Sequence, residues 1–172
     1  MDTMSVFHDL VSRVRDEAES VPRDLSAPAL NAHPAGHPNS VAWLLWHTGR
    51  EMDAQLADLS GGADIWHTRG FDTSAGVSGV DGSIGFGQSS EAARRVTAGD
   101  AGPLIDYVLA VCDAVDGYLR TLDVSGLDEV IDDNWEPPVT RGVRIVSFIN
   151  DAFAHLAQLQ YVLGTGTARG AP

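Results

Sequence analysis

The sequence is 172 residues long, 44% hydrophobic and 20% charged, which suits one globular domain with a substantial core. Its 24 acidic residues outnumber 11 basic ones, giving a net charge of −13, and every basic residue is Arg. That balance argues against nucleic acid or an anionic membrane as partner, and a lone cysteine, Cys112, excludes an internal disulfide and a Cys-rich zinc site.

The first ten residues, MDTMSVFHDL, lack a basic stretch followed by an apolar run, so no signal peptide is expected. No apolar run approaches the roughly 18 residues that span a bilayer. A cytoplasmic protein is expected, with a single domain over residues 1–166 and a flexible tail over 167–172.

From Thr3 to about Glu19, Val6, Phe7, Leu10, Val14 and Ala18 recur at helical spacing, and Pro22 stops the pattern. Leu25 to Asn39 holds Pro28, Pro34, Gly36 and Pro38 and reads as an irregular connection. His33 and His37 lie inside it in the string HPAGH. Their spacing suits a metal only on a helix, which the prolines and glycine oppose.

Ser40 is a good N-cap for a second helix, Val41 to about Leu59, ended by Gly61-Gly62. His47 lies on a stripe of this helix with Trp43, Leu44, Glu51 and Ala54. Glu51, one turn on, is placed to orient His47, to act as a general base, or merely to pair with Arg50 or solvent. Residues 63–87 are rich in Gly and Ser, with little periodicity, and a link of that length is usually functional or mobile. Trp66, Phe71 and Phe86 would anchor it to the bundle, with His67 facing solvent or capping a turn.

Ser89 or Ser90 caps a short helix through Val96. Gly102-Pro103 opens the third long helix, with a core stripe of Leu104, Val108, Val111, Val115, Leu119 and Leu122. Cys112 falls among these valines and reads as a buried structural thiol. A further connection, 124–139, contains Trp135 and Pro137-Pro138, and Thr140 caps the last helix, Arg141 to Gly164. Four amphipathic helices without period-two alternation make an all-α four-helix bundle.

Asp151 and His155 stand in the middle of the last helix's apolar surface, one turn apart and therefore on one face. A carboxylate in an apolar stripe costs several kcal/mol unless a cation, a metal or a buried donor offsets its desolvation. With His47 from the second helix, the pair has the composition of a two-histidine, one-carboxylate metal site. The other reading is a simple Asp–His hydrogen bond within the helix, and the residues alone leave both open. Arg144, about 10 Å earlier along the helix, would hold a substrate carboxylate at the bundle mouth or cap surface acids. Trp135 and Trp66 are candidate pocket walls or loop anchors. A ferritin-like di-iron site would need paired Glu-x-x-His motifs, which are absent.

Two segments carry a family resemblance. SVAWLLWHTGREMD delivers His47 from a Trp-rich helix, and FINDAFAHLAQLQYVLG presents His155-Leu156-Ala157-Gln158. With them the chain resembles the DinB/YfiT-like superfamily, in which an H-x-x-x-H pair is followed by x-G-Q. Asp151 stands where many relatives have the first histidine, and Ala157 where the glycine is usual. DNWEPPVTRGVRIVSFINDAFAH is similar to an actinobacterial branch. The resemblance implies an up-down-down-up bundle with a metal held by His47, Asp151 and His155. The activity it implies is thiol S-transfer or thiol-dependent isomerisation, and for other relatives metal-dependent hydrolysis. The branch and the Lys-free composition favour mycothiol as co-substrate, with zinc or nickel as the ion. A small-molecule electrophile would be the partner, and a homodimer stays open. A non-enzymatic, stress-linked bundle protein remains the contrasting class.

Overall fold

The structure is a computed structural model that describes residues 2–165; the tail expected over 167–172 lies outside them. Helix α1, Thr3–Glu19, starts at Asp2, whose carboxylate accepts from the Ser5 N–H, and buries Phe7, Val11, Val14 and Ala18. A short helix α2, Ala27–Leu30, and a 3-10 turn, Pro34–Gly36, occupy the proline-rich connection. Helix α3, Val41–Ser60, is capped by the Ser40 hydroxyl, and Gly61 ends it at φ 65°, a left-handed conformation that favours glycine.

The crossover that follows is more structured than its composition suggests. It contains α4, Ile65–Thr68; α5, Phe71–Ser74; and a two-residue strand β1, Val77–Ser78. After α6, Ser90–Arg95, the strand β2, Thr97–Ala98, pairs antiparallel with β1. Glycine composition hid these short elements, because two-residue strands are too brief for periodicity to register. Trp66 and Phe71 pack under the crossover as expected, but Phe86 is 82% exposed and anchors nothing.

Helix α7, Gly102–Leu119, carries Pro103 in its first turn and stops before Leu122. After a 3-10 turn at Val124–Asp128, β3, Val130–Asp132, pairs with β4, Val139–Thr140. Helix α8, Arg141–Gly164, then begins at the Thr140 hydroxyl cap.

Side-chain pairs fix the helix directions. His8 meets Asp116, and Arg23, just beyond α1, meets Asp106, so α1 and α7 are antiparallel. Arg144 pairs with Asp58 while His47 meets His155, so α3 and α8 are also antiparallel. Tyr107 donates to Asp53 and Tyr118 to the Leu59 carbonyl, which makes α3 and α7 parallel. The order is therefore up-down-down-up. A parallel neighbour forces the chain to return along the whole of α3, about 30 Å, and residues 61–101 make that return.

The core centres on Trp46, Tyr107 and Phe148, all fully buried. Gly49 lets the Tyr107 ring lie directly against the α3 backbone, where any β-carbon would collide. A polar knot supports this layer. Asp53, 1% exposed, accepts from the Ile65 and Trp66 N–H groups at 2.8 Å each and from the Tyr107 hydroxyl at 2.7 Å. Arg50 is ion-paired with Asp53 at 3.6 Å and Asp64 at 3.4 Å and lies over the Trp66 ring. Burial pushes the Tyr107 hydroxyl pKa well up, so it stays a donor at every ordinary pH. Cys112 is buried, and burial raises its thiol pKa to about 12. No helix among the described residues is long and apolar enough to cross a membrane.

Candidate metal centre

Antiparallel packing of α3 on α8 brings His47 opposite Asp151 and His155. One ligand atom from each of the three lies within 4.8 Å of the others. The imidazole centroids are 4.7 Å apart at 72°, edge to face. The three line a cavity of about 380 Å³ with Trp43, Glu51 and the 85–88 stretch of the crossover.

Each imidazole is held from outside the cavity. His47 Nδ1 lies 2.6 Å from the Ile84 carbonyl oxygen, and His155 Nδ1 lies 3.3 Å from Gln158 Oε1. The Ile84 backbone oxygen can only accept, so the His47 Nδ1 carries the proton and its Nε2 keeps its lone pair, while the Gln158 amide can meet the His155 Nδ1 in either role. Outer hydrogen bonds of this kind commonly orient metal-binding histidines. Trp43 stacks on His47 with centroids 4.4 Å apart, and its Nε1–H donates to Gln88 Oε1 at 2.9 Å.

The simple Asp–His hydrogen bond is poorly made. Asp151 Oδ2 and His155 Nε2 are 3.4 Å apart, beyond the 2.9–3.0 Å usual for N–H···O. Nor is Asp151 in the middle of the apolar surface, as its spacing suggests. Its side chain is 39% exposed, because α8 turns the residue toward the cavity mouth rather than the core. Pairing with His155 nevertheless holds the Asp151 carboxyl below its usual range against the opposing effect of burial. Burial pulls the His155 pKa down, but the Asp151 carboxylate outweighs it and the net shift is upward. His47 is shifted down, chiefly by burial, which keeps the ring in its neutral, metal-binding form.

Glu51 is the residue whose role the spacing left least defined. It does not pair with Arg50. Its Oε1 accepts from Gln55 at 2.6 Å, while Oε2 is buried with no hydrogen-bond partner. Burial first, then the Asp151 charge, raises its pKa. Two carboxylates and two outward-held imidazoles around one cavity, with one oxygen bare, are a donor set that a divalent cation completes. Imidazole and carboxylate donors together suit a divalent metal ion.

The other candidates lie elsewhere. Arg144 is paired with Asp58 and Asp132 on the far half of the α3–α8 seam, and the β3–β4 ladder holds Asp132 there. Trp135 is 64% exposed on the β3–β4 loop, hydrogen-bonded to Asp132. Trp66 is buried against Tyr107, where α4 covers the bundle. None of these three lines the triad cavity. His33 and His37 structure their own turn: His33 Nδ1 donates to the His37 carbonyl, and His37 Nδ1 accepts from the Asn39 N–H.

The sequence reading missed the Ile84–Gly85 backbone. Gly85 sits at φ 96°, and a β-carbon there would lie 2.7 Å from His47 Nδ1 and 2.9 Å from the Trp46 ring. Only glycine lets the crossover reach His47. Its place in a Gly-rich string was the available signal.

Fold and site together define a helical-bundle protein with a His-His-Asp candidate metal centre. Residues 10–159 match the family model described as DinB superfamily, and the chain belongs to that family. It is also similar to a solved structure, the conserved protein of locus from Enterococcus faecalis. That likeness has 30% identity, 99% coverage of both chains and a TM-score of 0.87. A search of curated proteins finds no match.

Proposed function

We propose that this chain is a metal-dependent transferase that joins a low-molecular-weight thiol of the mycothiol type to an electrophile. The observation that carries the reading is the convergence of His47, Asp151 and His155 within 4.8 Å of one another, with the His47 Nδ1 proton committed to the Ile84 carbonyl and Glu51 Oε2 bare beside them. His47, Asp151 and His155 would hold the ion. A zinc or nickel ion there, when bound, acidifies a thiol that meets it.

The protein's own residues do the rest. Ile84 and Gln158 orient the two imidazoles. Trp43 shields the buried face of His47 by stacking on it. Glu51 Oε2 takes the S–H proton, since its raised pKa and missing partner make it the basic oxygen of the cavity. Cys112, buried and with its pKa near 12, stays out of the reaction, so the nucleophilic sulfur belongs to the co-substrate. The superfamily resemblance adds thiol transfer as a known use of such a bundle.

Glu51 also favours a second reading, hydrolysis, because the same oxygen can accept a proton from water. One experiment separates them. The purified chain is loaded with zinc or nickel, and substrate loss is followed with and without mycothiol. Transfer predicts about one ion per chain and a thioether that appears only with thiol. Loss of an ester or amide without thiol would make it a hydrolase. Failure to take up either ion, with Asp151 and His155 replaceable by apolar residues at no loss of stability, would leave a non-enzymatic bundle.

A further inference from the structure

A larger cavity of about 740 Å³ adjoins the triad cavity. That volume falls in the roughly 300–1,000 Å³ range of pockets that enclose small organic ligands. Its walls come from α3 and α8, the helices that carry the triad, and from the Pro34–Gly36 turn. Leu44, Ala154, Ala157, Tyr161 and Val162 supply the apolar surface. Asn39 lines both cavities, and Gln158, which holds His155, lines the larger one.

Two properties set this groove apart from an ordinary surface crease. Among its described lining residues there is no Asp, Glu or Arg, in a sequence with 24 acidic residues. A charged group lodged there would lose hydration without gaining a counter-ion, whereas an apolar one loses nothing. The wall is also held in a strained shape. Ala35, at φ 49°, is the one non-glycine with positive φ among the described residues, and such backbone costs about 1–3 kcal/mol. Arg94 donates to the Gly36 carbonyl and His33 to the His37 carbonyl, so contacts on both sides pin the turn. Ala154 and Ala157 keep the α8 wall low where larger residues would fill the space.

We propose that this groove binds the uncharged apolar or aromatic body of a substrate whose reacting atom reaches the triad past Asn39. That the substrate is an electrophile for thiol transfer rests on the reading above; the groove and its preference rest on its own walls. N-phenyl-1-naphthylamine, a neutral fluorophore, is titrated into the full-length protein, its Ala157→Leu variant and its Ala154→Leu variant. Both positions are exposed and helical, so leucine there is compatible with folding, which circular dichroism checks.

Saturable binding that weakens roughly tenfold or more in either variant is expected, the scale at which pocket shape discriminates apolar groups. In parallel, mycothiol conjugation of iodoacetamide is compared with that of N-(1-naphthyl)iodoacetamide. The groove predicts a preference for the naphthyl compound in kcat/KM that shrinks about tenfold in Ala157→Leu. Probe binding unchanged by both substitutions overturns the proposal. So does binding that falls as the chain self-associates in sedimentation, since the occupant would then be a second copy. If neither iodo compound reacts, the transferase reading fails, and the probe titration alone decides the groove.

Discussion

Helix α3 carries two acidic residues just over half a turn apart, Asp53 buried and Glu51 half-buried, and their difference is instructive. Asp53 is saturated: two backbone N–H groups, a tyrosine hydroxyl and an arginine surround it. Glu51 faces the triad and leaves one oxygen bare. Burial of a carboxylate is common to both, so burial does not distinguish structure from function here. Completeness does. The Asp53 carboxylate has its acceptor sites filled, although Arg50 Nη1 beside it makes ion pairs and no hydrogen bond, whereas the Glu51 carboxylate leaves an oxygen open to a further partner.

The comparison breaks most visibly at Asp53. Asp53→Ala strands Arg50, the Tyr107 hydroxyl and two N–H groups, and should cost about 3–5 kcal/mol in urea unfolding. A loss below 1 kcal/mol would show that the knot is not structural. His155→Ala should do the reverse: zinc affinity falls more than about 100-fold by competition with a chelator, with an unfolding midpoint close to the parent's. Gly85→Ala tests the link between crossover and triad. The β-carbon would push the loop off His47, so zinc should bind about tenfold more weakly.

The smallest effect is expected from Glu51→Gln without metal, and its sign follows from the raised pKa. The folded state holds the Glu51 proton to higher pH than the unfolded chain does, so that stability is present in acid and lost as pH rises through the folded pKa. The variant should lack this decline and melt a few degrees above the parent near neutral pH, by calorimetry. An unchanged or lowered melting point would mean that Glu51 is satisfied after all.

Much of the fold is legible in the sequence. Ser40, Thr140 and Pro103 marked helix starts because capping chemistry is local, and four apolar stripes gave the bundle. His47, Asp151 and His155 could be grouped because two share a helix face and the third is the polar exception on another. The rest depended on distant backbone. Nothing near His47 in sequence announces that the Ile84 carbonyl holds it, and nothing near Glu51 says that its second oxygen is bare. For Arg144 helical phase left two roles open, and pairing with acids is the one the structure shows: Asp58 and Asp132, from two other elements, claim its guanidinium.

The parallel pairing of α3 with α7 has a consequence for how such a protein can change. The return crossover travels the length of α3, and its Ile84–Gly85 stretch lies over His47. The connection between two parallel helices thus also covers the candidate metal centre. Lengthening or resequencing residues 61–101 would alter what the triad meets without touching a packed helix, provided a glycine still seats the backbone on His47.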